Sequence, residues 1–263
     1  MNIAAIQMVS NTDISTNLKQ AEQLLKQAVS ESARICVLPE YFAQMGKPEE
    51  MLSIAEPIGQ GKLQDFLANQ AAKHGIYLVG GSIPLRSTVP QKLLASCLVF
   101  NPQGLKIGHY NKIHLFDVSI PEKNEHYEES ATFEKGHQIT TIQTPFANIG
   151  IGICYDIRFP EQFREMTAIE ILAIPAAFTQ TTGQAHWEVL LRARAIENQV
   201  YVIAANQGGK HNNGQETYGN SLIINGWGTV LNRREKGQGI VISNYDPVAL
   251  QQLRKNFPVL THR

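Results

Sequence analysis

The chain has 263 residues, 43% hydrophobic and 17% charged, and its 23 Lys plus Arg balance its 23 Asp plus Glu. That length is ample for a sizeable core in one large α/β domain or two small ones, and zero net charge offers no electrostatic reason for nucleic acid or an anionic membrane as partner. No basic leader precedes the first strand-like residues, Pro, Gly, Gln and Asn interrupt the uncharged stretches, and three cysteines without framework spacing point to the reducing cytoplasm.

An alternating segment over 2–9 predicts a first strand. From Ile14 the apolar positions Leu18, Ala21, Leu25 and Ala28 recur at helical spacing, with Asp13 as N-cap. A short buried strand over 35–38 stops at Pro39 and Glu40. A helix over 62–73 and a strand over 76–83 follow. Strands over 94–100 and 105–110 flank Asn101-Pro102-Gln103-Gly104, a hairpin turn signal. The polar stretch 113–138 is long for a connection, which marks a functional loop. Beyond it come a helix after Cys154, a strand over 169–174, a helix over 185–198, strands over 201–205, 220–224 and 239–243, and a helix over 247–255. Strands and helices mix throughout with no linker or repeat, so one α/β domain over 1–263 is the simplest account.

The most informative segment is Gly150-Ile151-Gly152-Ile153-Cys154-Tyr155-Asp156-Ile157-Arg158-Phe159-Pro160-Glu161. A buried strand ends in a cysteine, and Pro160 with Glu161 reads as a helix start. A thiol facing a helix N-terminus is expected to shift toward thiolate. A buried core cysteine is the competing reading, so the case for chemistry needs partners elsewhere. Three segments supply them: Glu40 directly after a strand, Lys112 where a strand gives way to the long loop, and Glu129 within that loop. Cys36 and Cys97 lie inside apolar runs and read as core.

This ordered set resembles the nitrilase superfamily of carbon–nitrogen hydrolases, which carries a Glu–Lys–Cys triad in this chain order with a second glutamate before the cysteine. The resemblance covers nearly the whole chain and continues through Thr182-Gly183-Gln184-Ala185-His186-Trp187-Glu188, Arg192-Ala193-Arg194-Ala195-Ile196-Glu197-Asn198, Tyr218-Gly219-Asn220-Ser221 and Gly226-Trp227-Gly228. It implies an αββα sandwich. Two small-amidase branches are similar in the loop around His114-Leu115-Phe116-Asp117, deaminated glutathione amidase and ω-amidase; the segment 189–197 is closer to the first. Gln184 and Lys135 stand where the family usually has proline, which bears on loop shape and substrate fit.

The resemblance implies Cys154 as nucleophile, Glu40 as proton carrier, Lys112 as oxyanion donor and Glu129 as the residue that orients Lys112 or substrate. Tyr155, Arg158, Thr182 and His186 are expected to assist or bind substrate, with the segment 181–187 lining an acyl pocket. For Arg158 the alternative is a structural pair with Glu161 or Asp156, and Arg192, Arg194 and Glu197 read as an ion network on a helix face. No cofactor or metal is expected, the partner is a small-molecule amide, and a homodimer is a family-level expectation. Two other classes compete. A metal-dependent hydrolase could use His109, His114, Asp117 and His126, whose spacing matches no tight metal motif, and an inactive scaffold has no physical need of Glu40, Lys112 and Cys154 together.

Overall fold

Asp13 stands in extended backbone, and its carboxylate accepts from the N–H groups of Ser15 and Thr16, so α1 (Ile14–Ser30) starts where the sequence predicts. The computed structural model describes residues 1–121 and 125–262. Among these, β1 (Asn2–Gln7), β2 (Ala33–Val37), β3 (Tyr77–Val79), β4 (Ile83–Arg86), β5 (Leu93–Phe100), β6 (Lys106–Asn111) and β15 (Gly239–Asn244) form a seven-stranded sheet in the order β15-β1-β2-β3-β5-β4, with β6 paired to β5. A second, six-stranded sheet runs β14 (Val230–Arg234), β13 (Ser221–Ile224), β12 (Tyr201–Asn206), β11 (Ile171–Ala176), β10 (Asn148–Ile151) and β9 (Thr141–Gln143). A separate hairpin pairs β7 (Asp117–Ile120) with β8 (Glu125–Glu128).

Strand parity decides what each sheet face meets. Along β1, Ile3 and Ala5 join Ile35, Val37, Ile149, Ile151, Ala173 and Val202 in a core shared by both sheets. Ala4 and Ile6 turn the other way, onto Leu25 of α1 and Leu67 of α3 (Lys62–His74). On the far face of the second sheet lie α4 (Pro160–Glu165) and α5 (Gln180–Asn198), which contribute Phe163, Trp187, Leu191 and Ala195. The layers are thus helix, sheet, sheet, helix, the αββα sandwich.

Several elements differ from the sequence expectation. The strand over 76–83 is broken at Gly80 and Gly81; Gly81 has φ +63°, and a Cβ there would stand 2.2 Å from the Pro39 carbonyl oxygen. The long polar loop holds the β7–β8 hairpin. Helix α2 (Pro48–Ile54), β9 and β14 carry too few periodic positions to stand out, and α6 (Pro247–Asn256) closes the chain as expected. Helix α5 begins five residues before the predicted start at 185, because Thr179 caps it and accepts from Thr182 N at 3.3 Å. Arg194 is buried in its ion pair with Glu197 at 2.7 Å, as expected, whereas Arg192, expected in the same network, pairs with Glu188 one turn earlier at 3.8 Å.

Candidate active site

Neighbouring strands β1 and β2 are parallel, as are β10, β11 and β12, and their carboxyl ends open on one region. Glu40 lies three residues beyond β2, Cys154 three beyond β10, Ala177 directly after β11 and Gln207 directly after β12. Open α/β sheets place their ligand sites at such ends. Lys112 follows directly on β6 and is held on both sides: its N–H donates to Ala95 O at 2.9 Å, and its carbonyl accepts from Gly136 N at 2.7 Å. A Cβ on Gly136 would fall 2.1 Å from Asn111 O, so this close approach requires glycine.

The Lys112 ammonium donates to Glu40 Oε1 at 2.9 Å and to Glu129 Oε1 and Oε2 at 2.9 and 2.8 Å. Glu129 in turn accepts from Phe116 N at 2.7 Å and from the Tyr41 hydroxyl at 3.1 Å. The other Glu40 oxygen accepts from Ala177 N at 2.8 Å. Gln207 donates its amide to the Glu40 main-chain carbonyl at 3.0 Å and to Ser10 Oγ at 2.9 Å, tying the second sheet to the glutamate's backbone. Sequence reasoning passed over Tyr41 and Gln207; the available signal is that each stands beside a strand end or a site residue.

Glu40, Lys112 and Cys154 are all buried. Burial raises the Glu40 carboxyl pKa; the Lys112 charge opposes this and Glu129 adds to it, leaving Glu40 above the usual glutamate value of 4.5. Burial alone would lower Lys112, but Glu129 and then Glu40 win and hold it well above 10.5, a firm ammonium. Cys154 is pushed well above 9.0, first by burial and then by the Glu40 carboxylate, which accepts the thiol's hydrogen bond. The expected shift toward thiolate is therefore overturned. Cys154 opens a 3-10 turn (Cys154–Arg158), and α4 starts only at Pro160 and is six residues long, so a weak dipole loses to burial beside an anion. Cys154 thus stands as a thiol hydrogen-bonded to a neighbouring carboxylate. Cys154 also adopts φ +48°, a left-handed conformation uncommon for a residue with a Cβ.

A cavity of about 330 Å³ is lined by Glu40, Lys112, Glu129 and Cys154 together with Tyr41, Phe116 and Thr179. Tyr155, Arg158, Thr182 and His186 fall outside this lining, and no residue of the segment 181–187 reaches it; Thr179, just before that segment, does. Thr182 is buried and bonds Thr179 Oγ1 at 2.9 Å. Tyr155 borders a neighbouring groove with His114 and Phe159. Arg158 lies between the Tyr155 and Phe178 rings, 5.5 and 5.4 Å from their centroids, and its Nη1 meets His186 Nδ1 at 3.2 Å. Among the described residues no carboxylate bridges Arg158, so neither Glu161 nor Asp156 is its partner. His109, His114 and His126 instead bond Asn111, Asp156 and Ser119 respectively.

The carbon-nitrogen hydrolase family matches residues 2–255. The deaminated glutathione amidase of Synechocystis is 38% identical over 265 residues, covering 99% of this chain and 97% of its own. The zebrafish (Danio rerio) ω-amidase NIT2 is 37% identical over 263 residues, covering 99% and 94%. The crystal structure of Saccharomyces cerevisiae Nit3, a member of branch 10 of the nitrilase superfamily, superposes with a TM-score of 0.88 at 29% identity, over 98% of this chain and 94% of that one. With the αββα layers and the strand-end cluster already in place, these matches make the chain a member of the carbon-nitrogen hydrolase family.

Proposed function

We propose that this protein is a cysteine amidase that hydrolyses deaminated glutathione to 2-oxoglutarate and cysteinylglycine. The observation that carries the chemistry is the buried Glu40–Lys112 pair, braced by the partly buried Glu129, against the Cys154 thiol in one cavity. Cys154 Sγ attacks the amide carbon as Glu40 takes the thiol proton. Lys112 and a backbone N–H next to Cys154 hold the tetrahedral oxyanion. Collapse breaks the C–N bond, Glu40 returns the proton to the departing amine, and a thioester remains. Glu40 then takes a proton from water as its oxygen adds to the thioester carbon; collapse breaks the C–S bond, and Glu40 returns that proton to sulfur as the acid leaves. Glu129 holds Lys112 by both carboxylate oxygens, which keeps the ammonium in place between two anions.

The proton carrier has a pH signature. The Glu40 pKa is raised, so the acidic limb of kcat/KM lies above the pH expected of an ordinary glutamate at 4.5. Glu40→Gln removes that limb along with about 10²–10⁴ of the rate. A still-active Glu40→Gln enzyme with an unchanged profile excludes Glu40 as the carrier.

The substrate reading rests on similarity to the amidases and on Arg158. A 2-oxo dicarboxylic acyl group needs a cation for its far carboxylate, and in the lining Lys112 is already engaged with two glutamates. Arg158 is close enough for its charge to feel Cys154, and its buried Nε has no hydrogen-bond partner. It is the cation we assign to that carboxylate, reached by substrate extending past the Tyr155 ring. The ω-amidase reading, with 2-oxoglutaramate giving 2-oxoglutarate and ammonia, uses the same acyl group and is the runner-up. Steady-state kinetics on deaminated glutathione, 2-oxoglutaramate, propionamide and an aliphatic nitrile decide. The expected order places deaminated glutathione first. A higher kcat/KM for 2-oxoglutaramate selects the runner-up, and parity with propionamide or high nitrile turnover ends the assignment.

A further inference from the structure

Asp156 is fully buried two residues after the nucleophile, and the chemistry above does not use it. Its carboxylate accepts four hydrogen bonds. Oδ2 takes them from Ile153 N at 2.8 Å and the Tyr110 hydroxyl at 2.7 Å; Oδ1 takes them from His114 N at 3.0 Å and His114 Nδ1 at 2.8 Å. Its main chain closes the same turn, with Asp156 N donating to Ile153 O at 3.0 Å and Phe159 N donating to Asp156 O at 2.9 Å. The Tyr110 hydroxyl also accepts from Gln162 Nε2 at 2.8 Å and from Ile113 N at 3.3 Å. The His114 ring lies flat on Phe159, 3.6 Å between centroids and 6° between planes.

Two stretches of chain meet on this one carboxylate. The first is the 3-10 turn that carries Cys154 in its left-handed conformation; such a conformation persists only where surrounding bonds over-determine it. The second is the segment 110–114, which carries Lys112 between Tyr110 and His114. We propose that Asp156 is a positioning residue for the amidase reaction, setting the Cys154 turn against the Lys112 segment so that sulfur and ammonium address the same carbonyl. Four donors converging on one buried carboxylate are more than a turn needs, since Ile153 N alone would close it. The bonds to Tyr110 and His114 reach across to the other catalytic segment. The inference rests on the assignment of Cys154 as nucleophile and Lys112 as oxyanion donor.

The test compares wild type, Cys154→Ala, Asp156→Asn and Tyr110→Phe as full-length proteins, with kcat expressed per Cys154 thiol titrated by iodoacetamide and folding followed by circular dichroism. Asn keeps the shape of Asp156 but loses its charge and one acceptor oxygen; Phe removes one of the four bonds and leaves the ring packed. Misplacement of reacting groups by about 1 Å can cost on the order of 10²-fold, so Asp156→Asn is expected to lose about 10–10² in kcat per titrated site with KM within about threefold. Tyr110→Phe is expected to lose roughly three- to tenfold in kcat in the same way, and the double variant to be no worse than Asp156→Asn alone. A merely structural role lowers the amount of folded, titratable protein without changing kcat per site. The proposal is overturned if the folded variants keep kcat per site within about twofold of wild type; should Asp156→Asn not fold, Tyr110→Phe decides. An active Cys154→Ala instead removes the underlying reading, so the two failures are distinguishable.

Discussion

Cys154→Ala is expected to abolish amide turnover while leaving the cooperative unfolding transition in place. The side chain lost is small, the alanine inherits the same φ of +48°, and the cluster loses only the thiol's hydrogen bond to Glu40 while Lys112 keeps its bonds to Glu40 and Glu129. No other thiol can substitute: Cys36 and Cys97 are buried in strands, and burial pushes the Cys36 thiol up to about 12 and the Cys97 thiol well above its ordinary value. In wild type, acid quench during turnover followed by intact-mass measurement shows the acyl adduct, and peptide mapping places it on Cys154. The thiol is protonated at rest, so iodoacetamide labelling of Cys154 accelerates as pH rises toward and beyond 9.0. Retention of most activity by Cys154→Ala would falsify the nucleophile assignment.

Lys112→Met carries a double penalty, in rate and in stability. Loss of one oxyanion donor costs about 10²–10³ in kcat. The buried Glu40 carboxylate and the partly buried Glu129 carboxylate are also left without their cation, and breaking a buried pair from one side costs about 3–5 kcal/mol. The pH dependence has a definite sign. In wild type, Lys112 is raised in the fold, so its contribution is fully present below 10.5 and is lost only as pH climbs through its folded value. Without Lys112, Glu40 loses the charge that pulled it down and rises further. A raised carboxyl contributes stability that is fully present below 4.5 and lost as pH climbs through its folded value. The variant's deficit is therefore smaller at about pH 5 than at about pH 8, as denaturant midpoints at the two pH values will report. A substrate analogue still binds the variant. Equal deficits at both pH values contradict the buried-pair account, and borohydride trapping of substrate on wild-type Lys112 contradicts its role as an oxyanion donor.

What could be read without coordinates was local or ordinal. Asp13 before an apolar stripe, Pro160 at a helix start and the turn residues at 101–104 announce themselves because a cap, a fixed φ and a reversal each need a particular side chain within a few positions. The order Glu40, Lys112, Glu129, Cys154 was equally legible, since chain order survives folding. Tertiary structure decided which of these groups touch and with what charge. Glu40 and Lys112, 72 positions apart, meet at 2.9 Å because they follow the ends of β2 and β6, two strands that the seven-stranded sheet brings to one region. Arg158, at the end of the 3-10 turn that Cys154 opens, and Thr182 and His186, on α5, are near Cys154 in sequence or in motif, yet none of them reaches the cavity lining. Asp156, read from sequence only as a partner for Arg158, instead joins the Cys154 turn to the segment 110–114. The Cys154 thiol shows the division most clearly. A helix start predicts a lowered pKa from local dipoles, whereas desolvation and the Glu40 charge raise it, and both depend on everything packed around the sulfur.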